Sequence, residues 1–396
     1  MTTTVPSSAL PCELSIVMPC LNEALTLESC IRKAQAFLER HGLSGEVIVA
    51  DNGSDDGSPA IALRLGARVV HASRRGYGAA LRAGFEAARG LYIAMADSDG
   101  SYDWSALAPL LDRLRAGDDL VVGNRFRGGI APGAMPPIHR YLGNPVLSGI
   151  ARAFFRVPLG DVYCGLRGLS RAACDRLDLQ STGMELALEM VVKAKLLGMR
   201  ISEVPTTLSP DGRGRPPHLN TWRDGRRSLL LYLASMPRGI FLYPGLALVA
   251  LGLLIGGALT QGPITIRGVH YDIHTLLLSS MAVLLGFQLV VQSVVLRYLM
   301  TTARLLPPQR GFEYRIATLR MEYGVALGLA LVLAGCAGIL RIVYVWEAGS
   351  FGDLDPFSTM RVAIPSVTGI GLGLQVVFAS LFLSLVKWQA RARTSS

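Results

Sequence analysis

Four long apolar runs, Ile240 to Leu259, Leu276 to Leu299, Val325 to Val345 and Val362 to Val386, set the outer limits of what this chain can become. Each holds about 20 or more mostly apolar residues, enough to cross about 30 Å of hydrocarbon. A large soluble core does not need buried helices of that length and continuity, so the runs read as membrane spans. Most of the charged residues lie ahead of the first run. Orientation follows positive charge near the span ends. The Thr301–Arg320 connection carries Arg304, Arg310, Arg315 and Arg320, and the tail after Lys387 carries Arg391 and Arg393. The other two connections, Thr260–Thr275 and Trp346–Arg361, have one arginine each. The expected arrangement is a multi-pass protein of the inner (cytoplasmic) membrane, with the first domain, the middle loop and the tail in the cytoplasm.

The formal charge of +10 over 396 residues points to an anionic partner. Nucleic acid is not expected: the arginines are dispersed or sit beside apolar runs, with no helix-turn-helix or zinc-finger pattern. A phosphorylated substrate or an acidic lipid surface fits better. Cys12, Cys20, Cys30, Cys164, Cys174 and Cys336 show no C-x-x-C spacing and read as incidental residues of a reducing compartment. Met1 to Pro11 is polar and lacks the shape of a signal peptide.

The region before the spans alternates strand-like and helix-like segments. Leu14–Met18, Glu46–Ala50, Ala67–His71, Leu91–Ala96 and Asp119–Gly123 are short apolar runs, each followed by turn residues and then a helical pattern. Ile201 to Leu208 is a further strand candidate. That alternation predicts an α/β domain with a mostly parallel sheet and right-handed crossovers. In such a sheet, ligands bind outside the carboxyl ends of the strands. Glu23, Asp51 and Asn52, Asp97 and Asp99, and Arg125 each come just after a strand. Residues distant in sequence therefore converge in one crevice.

Asp97 and Asp99 are the sharpest signal. Two carboxylates that close repel unless a positive charge lies between them. In extended backbone their Cβ atoms share a side. Mg²⁺ takes such oxygen ligands, one or two carboxylates plus substrate phosphates. The plain alternative is an acidic turn capping the next helix, with Asp103 in the same role. Further on, Asp161 to Arg167 reads as a compact polar turn, and Glu185 and Glu189 stack at i, i+4 on a helix ending near Leu197. Three domains are expected: a globular part at 1–220, a linker at 221–238 and a membrane part at 239–396. In the linker, Arg223, Arg226 and Arg227 precede Leu229–Leu233. This is the composition of a helix lying in the headgroup layer, or of a basic flank that only sets topology.

Taken together, Met18-Pro-Cys-Leu-Asn-Glu23, Val49-Ala-Asp-Asn-Gly-Ser-Asp-Asp-Gly57, Asp97-Ser-Asp99, Gly123-Asn-Arg125, Gly165-Leu-Arg-Gly168 and Glu203-Val-Pro205 resemble family 2 of the inverting glycosyltransferases. The branch they most resemble is the polyprenyl-phosphate sugar synthases of the dolichyl-phosphate mannose or glucose synthase type. The resemblance covers the part before the spans and implies a Rossmann-like, nucleotide-sugar-binding GT-A domain. It implies that Pro19, Leu21 and Glu23 line the base and ribose pocket, with Ala50, Asp51 and Asn52 completing it and Asp51 bonding the base. Asp97 and Asp99 would hold Mg²⁺ or Mn²⁺ on the donor diphosphate, with Ser98 against the nucleotide. Arg125 would meet a phosphate, and Arg213 and Arg215 match positions that grip donor or lipid phosphate. Leu21 and Asn52 depart from the mannose synthases, which carry an aromatic and an aspartate there. A Q-x-x-R-W signature is absent, which argues against a processive polymerase.

The implied reaction moves one hexose from a nucleotide sugar, of UDP-glucose or GDP-mannose type, to a polyprenyl phosphate. A lipid phosphate is already anionic, so no strong base is required. A hydroxyl acceptor such as ceramide or diacylglycerol would need one, with Glu185 and Glu189 as candidates. A membrane sensor that binds nucleotide sugar without turnover is the remaining reading. Association with further copies of the chain stays open.

Overall fold

The computed structural model describes residues 12–214, 221–308, 315 and 320–394. Its packing separates two compact units, which divide between Tyr232 and Leu233.

The first unit is built on one sheet: β1 (Leu14–Cys20), β2 (Gly45–Asp51), β3 (Arg68–His71), β4 (Tyr92–Met95), β5 (Leu120–Asn124), β6 (Arg167–Ser170) and β7 (Ile201–Pro205). Their spatial order is β3-β2-β1-β4-β6-β5-β7. All pairings are parallel except those of β6, which runs antiparallel to both β4 and β5. β1 is buried along its whole length, as an inner strand covered on both faces must be. Helix Ala24–Arg40 buries Leu27, Ile31, Ala34, Phe37 and Leu38, the three-and-four spacing of a helix with one face against a core. The ends of β1, β2, β4 and β5 share one edge, so the strand-end loops meet as the sequence predicted.

β6 is the departure. Its first residue, Arg167, was expected to end a polar turn, and so short a segment opening on a charge, Arg167-Gly-Leu-Ser170, carries no strand period. Tertiary context makes it a strand. It fills the slot between β4 and β5, and Arg167 is fully buried. The guanidinium donates to the carbonyls of Cys164 (2.9 Å), Val162 (2.7 Å) and Ala187 (2.6 Å). A buried cation needs such a set of acceptors, and here it ties β6 to helix Leu186–Leu196.

Helix Thr221–Ser235 follows the segment outside the described residues, and Tyr232 packs it onto helix Asn144–Phe155. The Tyr232 hydroxyl donates to Leu147 O at 2.9 Å, and its ring lies 6.2 Å from that of Phe155. Compact packing thus carries the first unit to Tyr232 rather than ending it at 220.

Among the described residues, the second unit holds four helices long and apolar enough to cross a membrane: Arg238–Leu259, Ile273–Thr302, Met321–Ala348 and Pro356–Gln389. Each contains one of the apolar runs. The first two approach closely where glycines leave room: a Cβ on Gly245 would stand 2.8 Å from Gly286 O, and one on Gly286 2.7 Å from Gly245 O. The last two do the same at Gly328 and Gly373. Small residues at contacts are how apolar helices pack where lipid removes the hydrophobic drive. Arg361 and Asp272 pair at 2.6 Å across the ends of the second and fourth helices. The short hairpin Ile264–Ile266 and Val269–Tyr271, between the first two spans, was not foreseen.

At the opposite edge of the sheet from the convergent loops, Glu46 of β2 accepts from Ser15 Oγ (2.7 Å), the Arg89 amide (2.7 Å) and Arg68 Nη2 (2.7 Å). Burial pushes this carboxyl up, but those donors outweigh it and hold it below its ordinary 4.5. A carboxyl depressed in the folded state contributes stability above its ordinary pKa and loses it as the pH falls through the folded value. Glu46→Gln should therefore cost about 1–3 kcal/mol at pH 7. The gap to the parent in thermal or denaturant midpoints should close as the pH is taken below 4.5.

Candidate active site

Three loops are laced together by hydrogen bonds. Ser98 donates its hydroxyl to Pro19 O at 2.7 Å and accepts at its own carbonyl from Thr26 Oγ1 at 2.8 Å. Asn52 donates to Arg74 O (2.8 Å) and accepts from the Gly76 amide (2.7 Å). Arg75 Nη1 reaches back to Asn52 O at 2.9 Å. Asp51 accepts from the amides of Gly53 (3.0 Å) and Ser54 (3.1 Å) and lies 3.2 Å from His71 Nδ1. Burial raises the Asp51 carboxyl, but these contacts win and its pKa falls below the usual 3.8. Pro19 and Ala50 are direct neighbours in the β1–β2 register, as are Cys20 and Asp51. Leu21 and Glu23 follow at the same edge, with the Glu23 amide donating to Ser58 Oγ at 3.0 Å.

Ser98, expected against the nucleotide, donates its hydroxyl to Pro19 O, which closes β1 against the turn after β4. Asn52, expected as a pocket residue, also braces the loop after β3. An aspartate could not donate to Arg74 O, which gives the amide there a physical reason.

The acidic pair leaves the extended backbone assumed for it. β4 stops at Met95 and the chain bends through Ser98–Ser101, with Gly100 at φ +81°. The two carboxylates nevertheless remain in electrostatic reach. Burial, then the charge of Asp99, pushes Asp97 up to about 6, against a hydrogen bond from Tyr77 and the positive charges of Arg213 and Arg125. Gly165 guards the space beside it: a Cβ there would lie 3.0 Å from Asp97 Oδ2. Asp99 is 5% exposed, and its Oδ1 accepts from the Ser101 amide (2.9 Å) and hydroxyl (2.6 Å). Its Oδ2 pairs with Arg213 Nη2.

Two close carboxylates, one resisting ionisation and the other already matched by a guanidinium, have the donor chemistry of a hard divalent ion. Among the described residues, no group of three or more His, Cys, Asp and Glu side chains is disposed to hold a metal. An ion bound here would rest on Asp97, Asp99 and oxygens of water or substrate, the habit of Mg²⁺.

Arg125, expected to meet a phosphate, is buried and bidentate on Asp161, at 2.6 and 2.8 Å. Asp161 is itself fully buried, so neither charge can be left alone without a large penalty. Arg125 therefore acts on the site as a fixed background charge. Glu189 is also committed, to the amides of Gln180 (2.8 Å) and Ser181 (2.7 Å) and to Lys193 Nζ (2.6 Å). Glu185 accepts from the Gly183 amide at 3.2 Å, and its Oε2 is buried without a hydrogen-bond partner. Arg215, like His218, lies outside the described residues.

Tyr77, Tyr102 and Asp161 were missed. Tyr77 opens the helix that follows β3, so the strand-end rule already placed it at this edge. Its neighbour Gly76 serves close packing: a Cβ there would sit 2.2 Å from Thr182 O. The Tyr102 hydroxyl accepts from the Gly165 amide at 2.8 Å, linking the acidic turn to the start of β6. No local signal marks Asp161 as the partner of Arg125.

An α/β sheet with acidic and basic side chains gathered at its carboxyl edge, followed by four apolar helices, defines a membrane protein that carries a polar ligand site. Residues 15–178 match the family "Glycosyl transferase family 2", and 294–387 match "Glycosyltransferase family 2 C-terminal transmembrane region". The low-salt glycan biosynthesis hexosyltransferase Agl6 of Haloferax volcanii is 35% identical over 93% of this chain and 88% of that protein. The chain belongs to glycosyltransferase family 2 and is a glycosyltransferase. A dolichyl-phosphate hexose transferase of Haloferax volcanii is 30% identical over 49% of this chain and 81% of its own length. A polyprenol monophosphomannose synthase of Mycolicibacterium smegmatis is 29% identical over 52% of this chain and 80% of its own.

The raised pKa of Asp97 has a consequence for stability. The folded value, about 6, exceeds the ordinary 3.8, so between them the folded state binds more protons. Stability therefore falls as the pH rises through that window. Asp97→Asn should raise stability by about 1–3 kcal/mol at pH 7.5 and give no gain near pH 4. Melting curves of the two proteins across that range measure it.

Proposed function

We propose that the protein transfers a single hexose, with inversion, from a UDP- or GDP-sugar to a polyprenyl phosphate at the cytoplasmic face of the membrane. The observation that carries this reading is the acidic pair after β4 at the sheet edge, with Asp99 buried and its Oδ2 paired with Arg213. The names of two relatives, a dolichyl-phosphate hexose transferase and a polyprenol monophosphomannose synthase, support the acceptor class. The arginines between the second and third spans support a cytoplasmic catalytic side.

In this reading the acceptor phosphate oxygen attacks the anomeric carbon as the bond to the diphosphate oxygen breaks. Negative charge builds on the leaving diphosphate. Asp97 and Asp99 would hold Mg²⁺ or Mn²⁺, which supplies Lewis-acid neutralisation of that charge. Arg125, fixed by Asp161, contributes a standing positive potential that needs no reorganisation during the reaction. Pro19, Leu21, Glu23, Ala50 and Asp51 would form the nucleotide pocket, with Asn52 and Ser98 keeping its walls in register. Arg213, with Arg215, would grip a phosphate of the donor or of the lipid.

One observation favours a second reading. Glu185 keeps a buried oxygen without a hydrogen-bond partner, beside the Gly183 loop that packs on Gly78. A hydroxyl acceptor would need such a base. Purified protein with Mg²⁺ and labelled UDP-glucose or GDP-mannose should form product on undecaprenyl phosphate. Product on diacylglycerol or ceramide alone would overturn the acceptor class. Bound donor without product on any lipid would favour a sensor.

Asp99→Ala should lower turnover by a factor of about 100 or more, with the detergent-solubilised protein still eluting as a folded species. Undiminished turnover would refute the metal role of the pair.

A further inference from the structure

Arg213 is the cation in direct contact with the acidic pair. Its side chain is 11% exposed, with Nη2 on Asp99 Oδ2, Nη1 at 3.6 Å from Glu23 Oε1 and Nε at 3.7 Å from Asp211 Oδ2. The segment that carries it is tied down by main-chain bonds. The Ser209 amide donates to Ser101 O (2.9 Å), and the Gly212 amide donates to Asp99 O (2.9 Å). The strap from Ser209 to Gly214 therefore lies along the turn that holds the second carboxylate.

The oxygens of Asp99 divide cleanly. Oδ1 is taken by the amide and hydroxyl of Ser101, which shape the turn. Oδ2 is the oxygen left for a ligand, and Arg213 occupies it. A cation entering at Oδ2 must displace the guanidinium. That displacement leaves Arg213 desolvated beside an incoming positive charge, an expensive arrangement unless an anion receives it. A nucleoside diphosphate is such an anion, and a guanidinium fits its oxygens well.

We propose that Arg213 is an internal cation that competes with a divalent ion for the acidic pair, so that ion and nucleoside diphosphate bind as a coupled set. Arg213 would pass from Asp99 to the diphosphate when the site is loaded, and Asp99 would then be free to help hold the ion. No bond is made or broken; charge is exchanged between partners. Coupling of this kind is reciprocal: the diphosphate raises ion affinity by the same factor by which the ion raises diphosphate affinity. The inference rests on the metal reading of Asp97 and Asp99 given above.

Mn²⁺ binding to the full-length protein in detergent, read by electron paramagnetic resonance with and without UDP or GDP, tests it without any turnover. The unaltered protein should bind Mn²⁺ alone weakly, and a nucleoside diphosphate should tighten it by about 5–150-fold. Arg213→Gln should bind Mn²⁺ alone about tenfold more tightly and show reduced coupling, within the same range. Arg213→Lys, which keeps the charge, should behave like the unaltered protein. Equal Mn²⁺ affinity in the unaltered protein and Arg213→Gln would overturn the gating role while leaving the metal site intact. Mn²⁺ affinity independent of nucleotide in the unaltered protein would overturn it too, even if Arg213→Gln failed to fold. Absence of Mn²⁺ binding in every protein and condition would overturn the metal reading and this inference with it.

Discussion

Two like charges held near each other at the edge of a sheet cannot stand without compensation, and much of the first unit follows from that. Burial and the Asp99 charge together drive Asp97 toward its neutral form. The countercharges are arranged in tiers. Arg213 touches Asp99 directly, while Arg125 is fixed by Asp161 further back. An arrangement that resists its own ionisation is strained with respect to charge, and such sites trade stability for the capacity to bind. The same pair that weakens the fold is what a divalent ion would find.

Around that pair the polar groups are mostly occupied with each other. Asn52, Ser98, Asp51, Glu189 and Arg167 each hydrogen-bond to backbone, Asp51 and Glu189 with a side-chain partner as well. This is how loops that converge from four strands are kept rigid without a core of their own. A buried polar network of this kind is stable only when every member is satisfied. It also separates two kinds of residue that share a motif: those that build the crevice and those that face into it. Asn52 and Ser98 build, and Asp97 and Asp99 are the pair proposed to face in.

The membrane unit obeys a different rule. Its helices offer lipid an apolar surface and meet each other through glycine, as at Gly245 with Gly286 and Gly328 with Gly373. Where ionisable groups do occur near span ends they are paired, as Arg361 is with Asp272. Small residues at these contacts were visible in the third span as Gly324, Gly328, Gly335 and Gly338, though not which helix they would face.

How much could be read from the residues alone follows from the range of the forces involved. Apolar period, turn composition and span length are local properties, so the alternating strands, the four spans and the sheet edge bearing Glu23, Asp51, Asp97 and Asp99 were legible in advance. β6 was not, because Arg167-Gly-Leu-Ser170 becomes a strand only when β4 and β5 present their edges to it. Nor was the commitment of Arg125, since its partner Asp161 stands 36 positions away with nothing local to mark it. The division of Asp99 between Ser101 and Arg213 joins a two-residue turn to a side chain 114 positions distant. Charge and hydrogen-bond satisfaction in a low-dielectric interior are settled by whichever groups folding brings together, and a linear order of residues does not contain those distances.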